Sequence, residues 1–363
     1  MNSNRLLAAV ALLFLAVIPS AAQVFYNADE LPLYGKARED TKERYERLPA
    51  EFESRSRGAV WYLGRNSAGL YIRFRSNSTA IWCRWTAKFG NHMNHQTLIG
   101  TRGVDLYTLT AKNEWRFMAA GKPSIDDKTT TDRIIGNMTP EWREYMLYLP
   151  LYDGVTSLEI GVDSTATVEK PLIDLPKTER PIVMYGTSIL QGGCANRPGM
   201  CHTSIISRKL NREVINLGFS GNALLDYEIA ELIAAVKDPA LIVFDYVPNA
   251  WDYLIAGEEG EKFYRIVRDA HPDVPILFLE DPHFSHYEWD SFIKTEVDKK
   301  NAAQRALFKK LKKQGEKNIW YVKSDDMVGH DNEPFVESTH FTDLGMMRYA
   351  EWLLPHIKKH MKT

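Results

Sequence analysis

The sequence predicts a two-part chain: an all-β sandwich or jelly roll over residues 25–170, then an α/β domain over residues 178–363 on a five-stranded parallel sheet. Two patterns carry this. From Ala59 to Val162, short aromatic and β-branched runs recur at near-regular spacing with no helical period, as in a β-sandwich. After Arg180, strand and helix patterns alternate, which makes a parallel sheet with helices on both faces. Pro171, Pro176 and Pro181 punctuate the join at Thr165–Arg180.

At the start, Arg5 precedes the apolar run Leu6–Ile18, and Ser20-Ala21-Ala22 offers small residues before Gln23. Residues 1–22 therefore read as a signal peptide, too short to span a bilayer, and the mature protein is expected to be periplasmic or secreted. No Cys follows the leader, so no lipid anchor is expected. A net charge of −2 gives no basic signature for nucleic acid or an anionic membrane. Export permits disulfides, and Cys194 and Cys201 flank a turn-rich loop that suits a bridge. Cys83 reads as a buried strand thiol. Three cysteines without CxxC spacing argue against a zinc site.

Glu39–Arg47 suits a short helix between Pro32 and Pro49. The strand series then runs through Val60–Leu63, Gly69–Phe74, Thr79–Trp85, Leu98-Ile99, Gly103–Leu109, Trp115–Ala119, Trp142–Leu149 and Val155–Val162, with turns at 66–69 and Asp153-Gly154. His92 and His95 sit in a Gly-flanked loop with no carboxylate or thiol nearby in sequence, so they read as polar surface rather than as metal ligands. Asn77 and Asn137 head N-x-S/T sequences, which matter only in a eukaryotic host.

In the second half the expected strands are Ile182–Tyr185, Val214–Leu217, Leu241–Tyr246, Ile276–Glu280 and Ile319–Val322. Helices are expected at His202–Asn211, Leu224–Val236, Glu258–Ala270, Phe292–Lys313 and Leu344–Lys359. The Lys-rich stretch Lys309–Lys317 reads as the solvated end of its helix. Three strand-end loops and one segment before the last helix collect chemistry. Ser188 follows the first strand within Gly186-Thr187-Ser188-Ile189. Gly218 lies in the loop after the second strand, where a backbone N–H can approach a ligand. Asn249 follows the third and can offer a side-chain N–H. Glu337 stands three residues before His340, a spacing that lets a carboxylate hold the far nitrogen of an imidazole. All four fall on the edge where open α/β sheets bind ligands.

Gly186-x-Ser188-Ile189, Gly218, Asn249 and Glu337-x-x-His340, in that order, resemble the SGNH (GDSL-type) hydrolase superfamily in its Gly-x-Ser-Ile variant. Gly103-Val104-Asp105-Leu106-Tyr107 is similar to the Gly-x-Asp-Leu-Tyr signature of the β-sandwich that precedes this hydrolase type. The resemblance implies a flavodoxin-like α/β/α domain, metal-free and cofactor-free ester hydrolysis, and removal of O-acetyl groups from glycans. It also implies roles: Ser188 as nucleophile, His340 as general base, and Ser188 N–H, Gly218 N–H and the Asn249 side chain as the oxyanion hole. Two positions depart from the pattern. The acid is Glu337 where Asp is usual, so a backbone carbonyl is an alternative support for His340. The third block reads Val-Pro-Asn-Ala rather than Gly-x-Asn-Asp.

In the loop Glu280–Trp289, Asp281, His283 and His286 can be read as metal ligands. A substrate-side wall is the preferred reading, with His283, His286 and Trp251 as substrate contacts. The rival functions are a non-catalytic glycan-binding protein and an esterase for lipid acyl chains. No long apolar stretch in the strand-end loops favours the latter.

Overall fold

The computed structural model describes residues 22–361; the predicted leader falls outside the described residues except for its last position. Ten strands build the first half: β1 (Gln23–Asn27), β2 (Leu33–Tyr34), β3 (Tyr71–Ser76), β4 (Ile81–Ala87), β5 (Val104–Leu109), β6 (Trp115–Gly121), β7 (Thr129–Ile135), β8 (Arg143–Tyr148), β9 (Val155–Asp163) and β10 (Val168–Glu169). They form two antiparallel sheets, ordered β1-β9-β4-β7 and β10-β3-β8-β5-β6, with β2 paired to β3. Alternate residues of both sheets, among them Ile72, Phe74, Ile81, Trp85, Leu106 and Ile160, meet in one buried core. That period-two alternation is what makes the half a sandwich. Cys83 is one of these buried residues.

The second half is a single parallel sheet of β11 (Lys177–Gly186), β12 (Arg212–Gly218), β13 (Leu241–Asp245), β14 (Ile276–Leu279) and β15 (Ile319–Val322). Its order is β12-β11-β13-β14-β15. Numbered within the domain this is 2-1-3-4-5, the flavodoxin-like order, whose switch point lies between the first and third strands. The strands carry apolar side chains on both faces because both are covered. Val183, Tyr185, Ile215, Phe244 and Phe278 face one core, and Ile182, Met184, Val214, Val243 and Leu277 face the other.

Three short helices belong to the first half: α1 (Phe52–Arg55), α2 (Gly58–Gly64) and α3 (Leu98–Arg102). Seven belong to the second: α4 (Ser188–Gln191), α5 (His202–Leu210), α6 (Tyr227–Ala234), α7 (Asp252–Ala256), α8 (Glu258–Ala270), α9 (Ser291–Lys313) and α10 (Asp343–His360). Among the described residues no helix is long and apolar enough to cross a membrane.

Four expectations are corrected. Val60–Leu63 is helical, as part of α2, because Val60, Trp61 and Leu63 pack on the core of the parallel sheet instead of pairing as a strand. Leu98-Ile99 opens α3, capped by Thr97, whose side chain accepts the Gly100 N–H. Glu39–Arg47 is a run of turns. It places Arg47 for burial between the halves, where its guanidinium donates to the carbonyls of Leu63, Asn66, Asn216 and Gly218. The expected bridge between Cys194 and Cys201 is absent and both thiols are free. Cys201 Sγ contacts Leu190 O at 3.5 Å and Thr203 Oγ1 at 3.2 Å instead. Cys194 Sγ lies near His95 and His340.

Candidate active site

The parallel register sets the site. Gly186 pairs with Gly218 on one side and with Asp245 on the other, so the ends of β11, β12 and β13 lie level. A Cβ on Gly186 would stand 2.6 Å from Asp245 O, which explains glycine there. Thr187 then caps a one-turn helix, its Oγ1 accepting the Ile189 N–H at 3.3 Å. Ser188 is the first residue of that turn. Its backbone N–H makes no hydrogen bond among the described residues, as befits a first-turn amide. Gly192, at φ +117°, ends the turn in the left-handed region, where a side chain would be strained.

Ser188 is 7% exposed. Its Oγ lies 2.8 Å from His340 Nε2. His340 Nδ1 bonds Glu337 Oε1 across the predicted three-residue spacing. The carboxylate also accepts the backbone N–H groups of His340 and Thr339, both at 2.9 Å. Partial burial would push the Glu337 carboxyl up, but the backbone and ring N–H groups of His340 and the Thr339 N–H outweigh it and hold the group below the usual glutamate value. It is therefore ionised wherever the imidazole needs it. A serine oxygen, an imidazole and a carboxylate in sequence can deprotonate the hydroxyl and stabilise the resulting imidazolium.

The expected oxyanion donors divide. Asn249 lines a cavity of about 180 Å³ together with Ser188. Its Oδ1 accepts the Ala223 N–H at 3.3 Å, and its Nδ2 makes no hydrogen bond among the described residues. Gly218 is different: its N–H donates to Asn216 Oδ1 at 2.9 Å and is not free. Gly218 is a packing glycine. A Cβ there would stand 2.2 Å from Gln191 N, because α4 rests directly on the end of β12. In the same loop Gly221 has φ +67°, and its N–H makes no hydrogen bond among the described residues.

Asn216 and Gln191 support the serine, and the sequence reading missed both. Asn216 Nδ2 donates to Leu190 O at 2.7 Å, and Gln191 Oε1 accepts the Ser220 N–H at 3.0 Å. Tyr152, from the first half, donates its hydroxyl to Ser188 O at 3.0 Å. The sandwich reaches the site a second time through the loop that was read as polar surface. Asp153 accepts the N–H groups of Phe89, Gly90 and Asn91 and so holds that loop down. The His95 ring lies 5.5 Å from that of His340. No spacing rule links these positions in sequence.

The proposed substrate contacts do not line the cavity. His283 stacks on Tyr287 at 4.2 Å, and Trp251 is half exposed beside Lys300. His286 faces Phe284. Phe284 and Asp281, from the same loop, do line it. Asp281, His283 and His286 do not converge as ligands. Among the described residues the one group of three metal-binding side chains within 4.8 Å is His95, Cys194 and His340. There the imidazole is already engaged at both nitrogens, and burial, aided by the negative charge of Glu337, pushes the Cys194 thiol up to about 12. A larger cleft, about 600 Å³, opens between the two halves near Trp115 and Arg208 and shares no residue with the Ser188 cavity.

A serine at the switch point of a three-layer sheet, backed by an imidazole and a carboxylate, defines the class as a serine-hydrolase scaffold. The chain belongs to the GDSL-like lipase/acylhydrolase family, which matches residues 179–358, and residues 23–168 match the N-terminus of SGNH-hydrolase-type esterases. A Bacteroides ovatus ATCC 8483 protein described as GDSL-like lipase is 34% identical, with TM-score 0.88 over 94% of this chain and 99% of its own. A salicylyl-acyltransferase from a tetracycline biosynthetic pathway shares 17% identity and TM-score 0.72, over 93% of this chain and 97% of its own. A family two carbohydrate esterase from Clostridium thermocellum shares 14% identity and TM-score 0.58, over 80% and 92%. The last two likenesses show the fold. No curated protein matches the chain.

Proposed function

We propose that the protein is an exported serine esterase that removes acyl groups from a carbohydrate through an acyl-enzyme. The observation that carries the reading is the Ser188 Oγ–His340 Nε2 hydrogen bond of 2.8 Å, with Glu337 on the other ring nitrogen. Ser188 Oγ attacks the ester carbonyl carbon while its proton passes to His340 Nε2. The carbonyl oxygen becomes an oxyanion, stabilised by the Ser188 N–H and the Asn249 side chain. From the loop after β12, the free amide is that of Gly221 rather than Gly218. Collapse returns the proton to the leaving alkoxide. Water then repeats the cycle with His340 as base, releasing the acid and restoring the serine.

The carbohydrate part of the reading rests on exposed aromatic rings. Trp251, Tyr253 and Trp289 are 50%, 66% and 79% exposed in the segments that follow Asn249 and Phe284 in the chain, and such rings can stack on sugar faces. The predicted leader supports export. An O-acetyl group is the simplest substrate of the class. The test is hydrolysis of p-nitrophenyl acetate and labelling by a fluorophosphonate, each compared with Ser188→Ala. Turnover and label that vanish together in the variant support the reading. Turnover that survives in Ser188→Ala sinks it.

A further inference from the structure

The cavity beside Ser188 contains a group that the mechanism above leaves idle. Asp281 follows β14, is 1% exposed and lines the cavity. Its side chain makes no hydrogen bond or ion pair among the described residues, and its Oδ1 is buried without a partner. The backbone, by contrast, is fixed: Asn301 Oδ1 accepts the Asp281 N–H at 2.7 Å, and Ser324 Oγ donates to Asp281 O at 2.8 Å. Lys300, the nearby cation, donates to Pro248 O at 2.9 Å instead. Buried carboxyls are almost always hydrogen-bonded, so one held rigidly and left open marks a place that something else completes.

The direction of the chemistry says which part of the substrate enters. His340 must hand its proton to the leaving alcohol, so the alcohol lies on the imidazole side of Ser188. The walls of the cavity include Thr339 but not His340, and they run from Ser188 past Asn249 to Phe284, Ile293 and Val297, with Glu296 and Lys300 as charged members. The acyl group is what points there. At about 180 Å³ the space exceeds what an acetyl methyl fills; a cavity of about 150 Å³ holds a benzene ring.

We infer that this cavity is an acyl subsite for a short acyl group, of up to about six carbons by that comparison of volumes, bearing a hydroxyl or oxo oxygen that Asp281 recognises by hydrogen bonding. The inference rests on the esterase reading and narrows it from simple acetyl esters to oxygenated acyl esters. Burial pushes the Asp281 carboxyl up to about 8, with Lys300 pulling it down and Asp245 adding to the rise. At neutral pH the group is protonated and can donate to an oxo oxygen or exchange hydrogen bonds with a hydroxyl. A saturated chain would satisfy neither oxygen.

The experiment compares kcat/KM for p-nitrophenyl 3-hydroxybutyrate and p-nitrophenyl butyrate in the wild type, Asp281→Leu and Asp281→Asn. The wild type is expected to favour the hydroxylated ester by on the order of 10–100-fold, since a site built to bond a hydroxyl rejects the analogue without it. Asp281→Leu is expected to erase or invert that ratio, and Asp281→Asn, which keeps a donor, to retain part of it. The ratio is internal to each preparation, so partial misfolding does not mimic it. A wild-type ratio near one overturns the inference even if no variant folds, and so does a preference that survives in Asp281→Leu. Those results leave the esterase reading standing. No turnover of either ester, with no fluorophosphonate label on Ser188, sinks the esterase reading and this one with it.

Discussion

On the imidazole side of Ser188 every working polar atom has a partner. His340 Nε2 holds the serine oxygen, Nδ1 holds Glu337, and Glu337 takes two further backbone N–H groups. On the cavity side the opposite holds. The Ser188 N–H, Asn249 Nδ2 and the Asp281 carboxyl have no partner among the described residues. The contrast separates two kinds of site residue. Groups that act on one another are satisfied before substrate arrives, and groups that act on substrate hold their hydrogen bonds in reserve. The same test removes Gly218 from the second set, because Asn216 already occupies its N–H.

The sharpest way to break the comparison is at its hinge. Ser188→Ala should lower kcat by on the order of 10⁶, as in other triads, and abolish fluorophosphonate labelling. Next comes the satisfied side. Glu337→Gln should lower kcat by on the order of 10³–10⁴, because a glutamine cannot stabilise the imidazolium or enforce its tautomer. Kinetics on p-nitrophenyl acetate check this. A loss under tenfold would mean that a carbonyl or water orients His340 equally well. Glu337 is ionised below the usual glutamate range, so the wild-type acid limb should not follow glutamate protonation. The reserved side should be weaker per group. Asn249→Ala should cost about 10²–10³ in kcat with little change in KM, the pattern of a donor used only in the transition state. A change confined to KM would instead make Asn249 a ground-state contact.

Much of this was legible in the chain. The strands Ile182–Tyr185 and Leu241–Tyr246 stand out because a sheet covered on both faces demands near-continuous apolar runs, and the loops after them bring Ser188 and Asn249 to one edge. Glu337 and His340 were legible because a three-residue spacing is a local constraint. What was hidden depends on tertiary contact. Val60-Trp61-Tyr62-Leu63 has the composition of a strand, yet its partner is the other domain's core, which overrides propensity. Whether Gly218 or a neighbour offers a free amide depends on where the Asn216 side chain points. His95 beside His340 and Tyr152 on Ser188 O come from the sandwich, across the domain junction. Asp281 stood in a loop read as metal ligand or substrate wall, and only its burial without a partner distinguishes it.

The smallest predicted effect tests whether the reserved side is held at a thermodynamic cost. The Asp281 carboxyl is raised from 3.8 to about 8 by burial, with Lys300 opposing and Asp245 reinforcing the shift. Between those values the folded chain holds a proton that the unfolded chain has released. The folded state then binds more protons, so stability falls as pH rises through this window. Asp281→Asn removes the ionisable group while nearly keeping its shape. The variant should melt higher than the wild type at pH 7.5, by about 2–4 °C for each kcal/mol recovered, and the gain should close as the pH approaches 4. Asp245 stays raised to about 7 by its own burial, against the Tyr349 hydroxyl bond, so part of the pH dependence persists in the variant. Thermal melts across that pH range decide the point. A variant less stable than the wild type at pH 7.5 would show that the carboxyl is already satisfied in the free protein, and that the two sides of Ser188 do not differ as described. A gain that tracks pH would show that Asp281 is kept for a partner the free protein lacks, as stability is often lost where a site is kept for function.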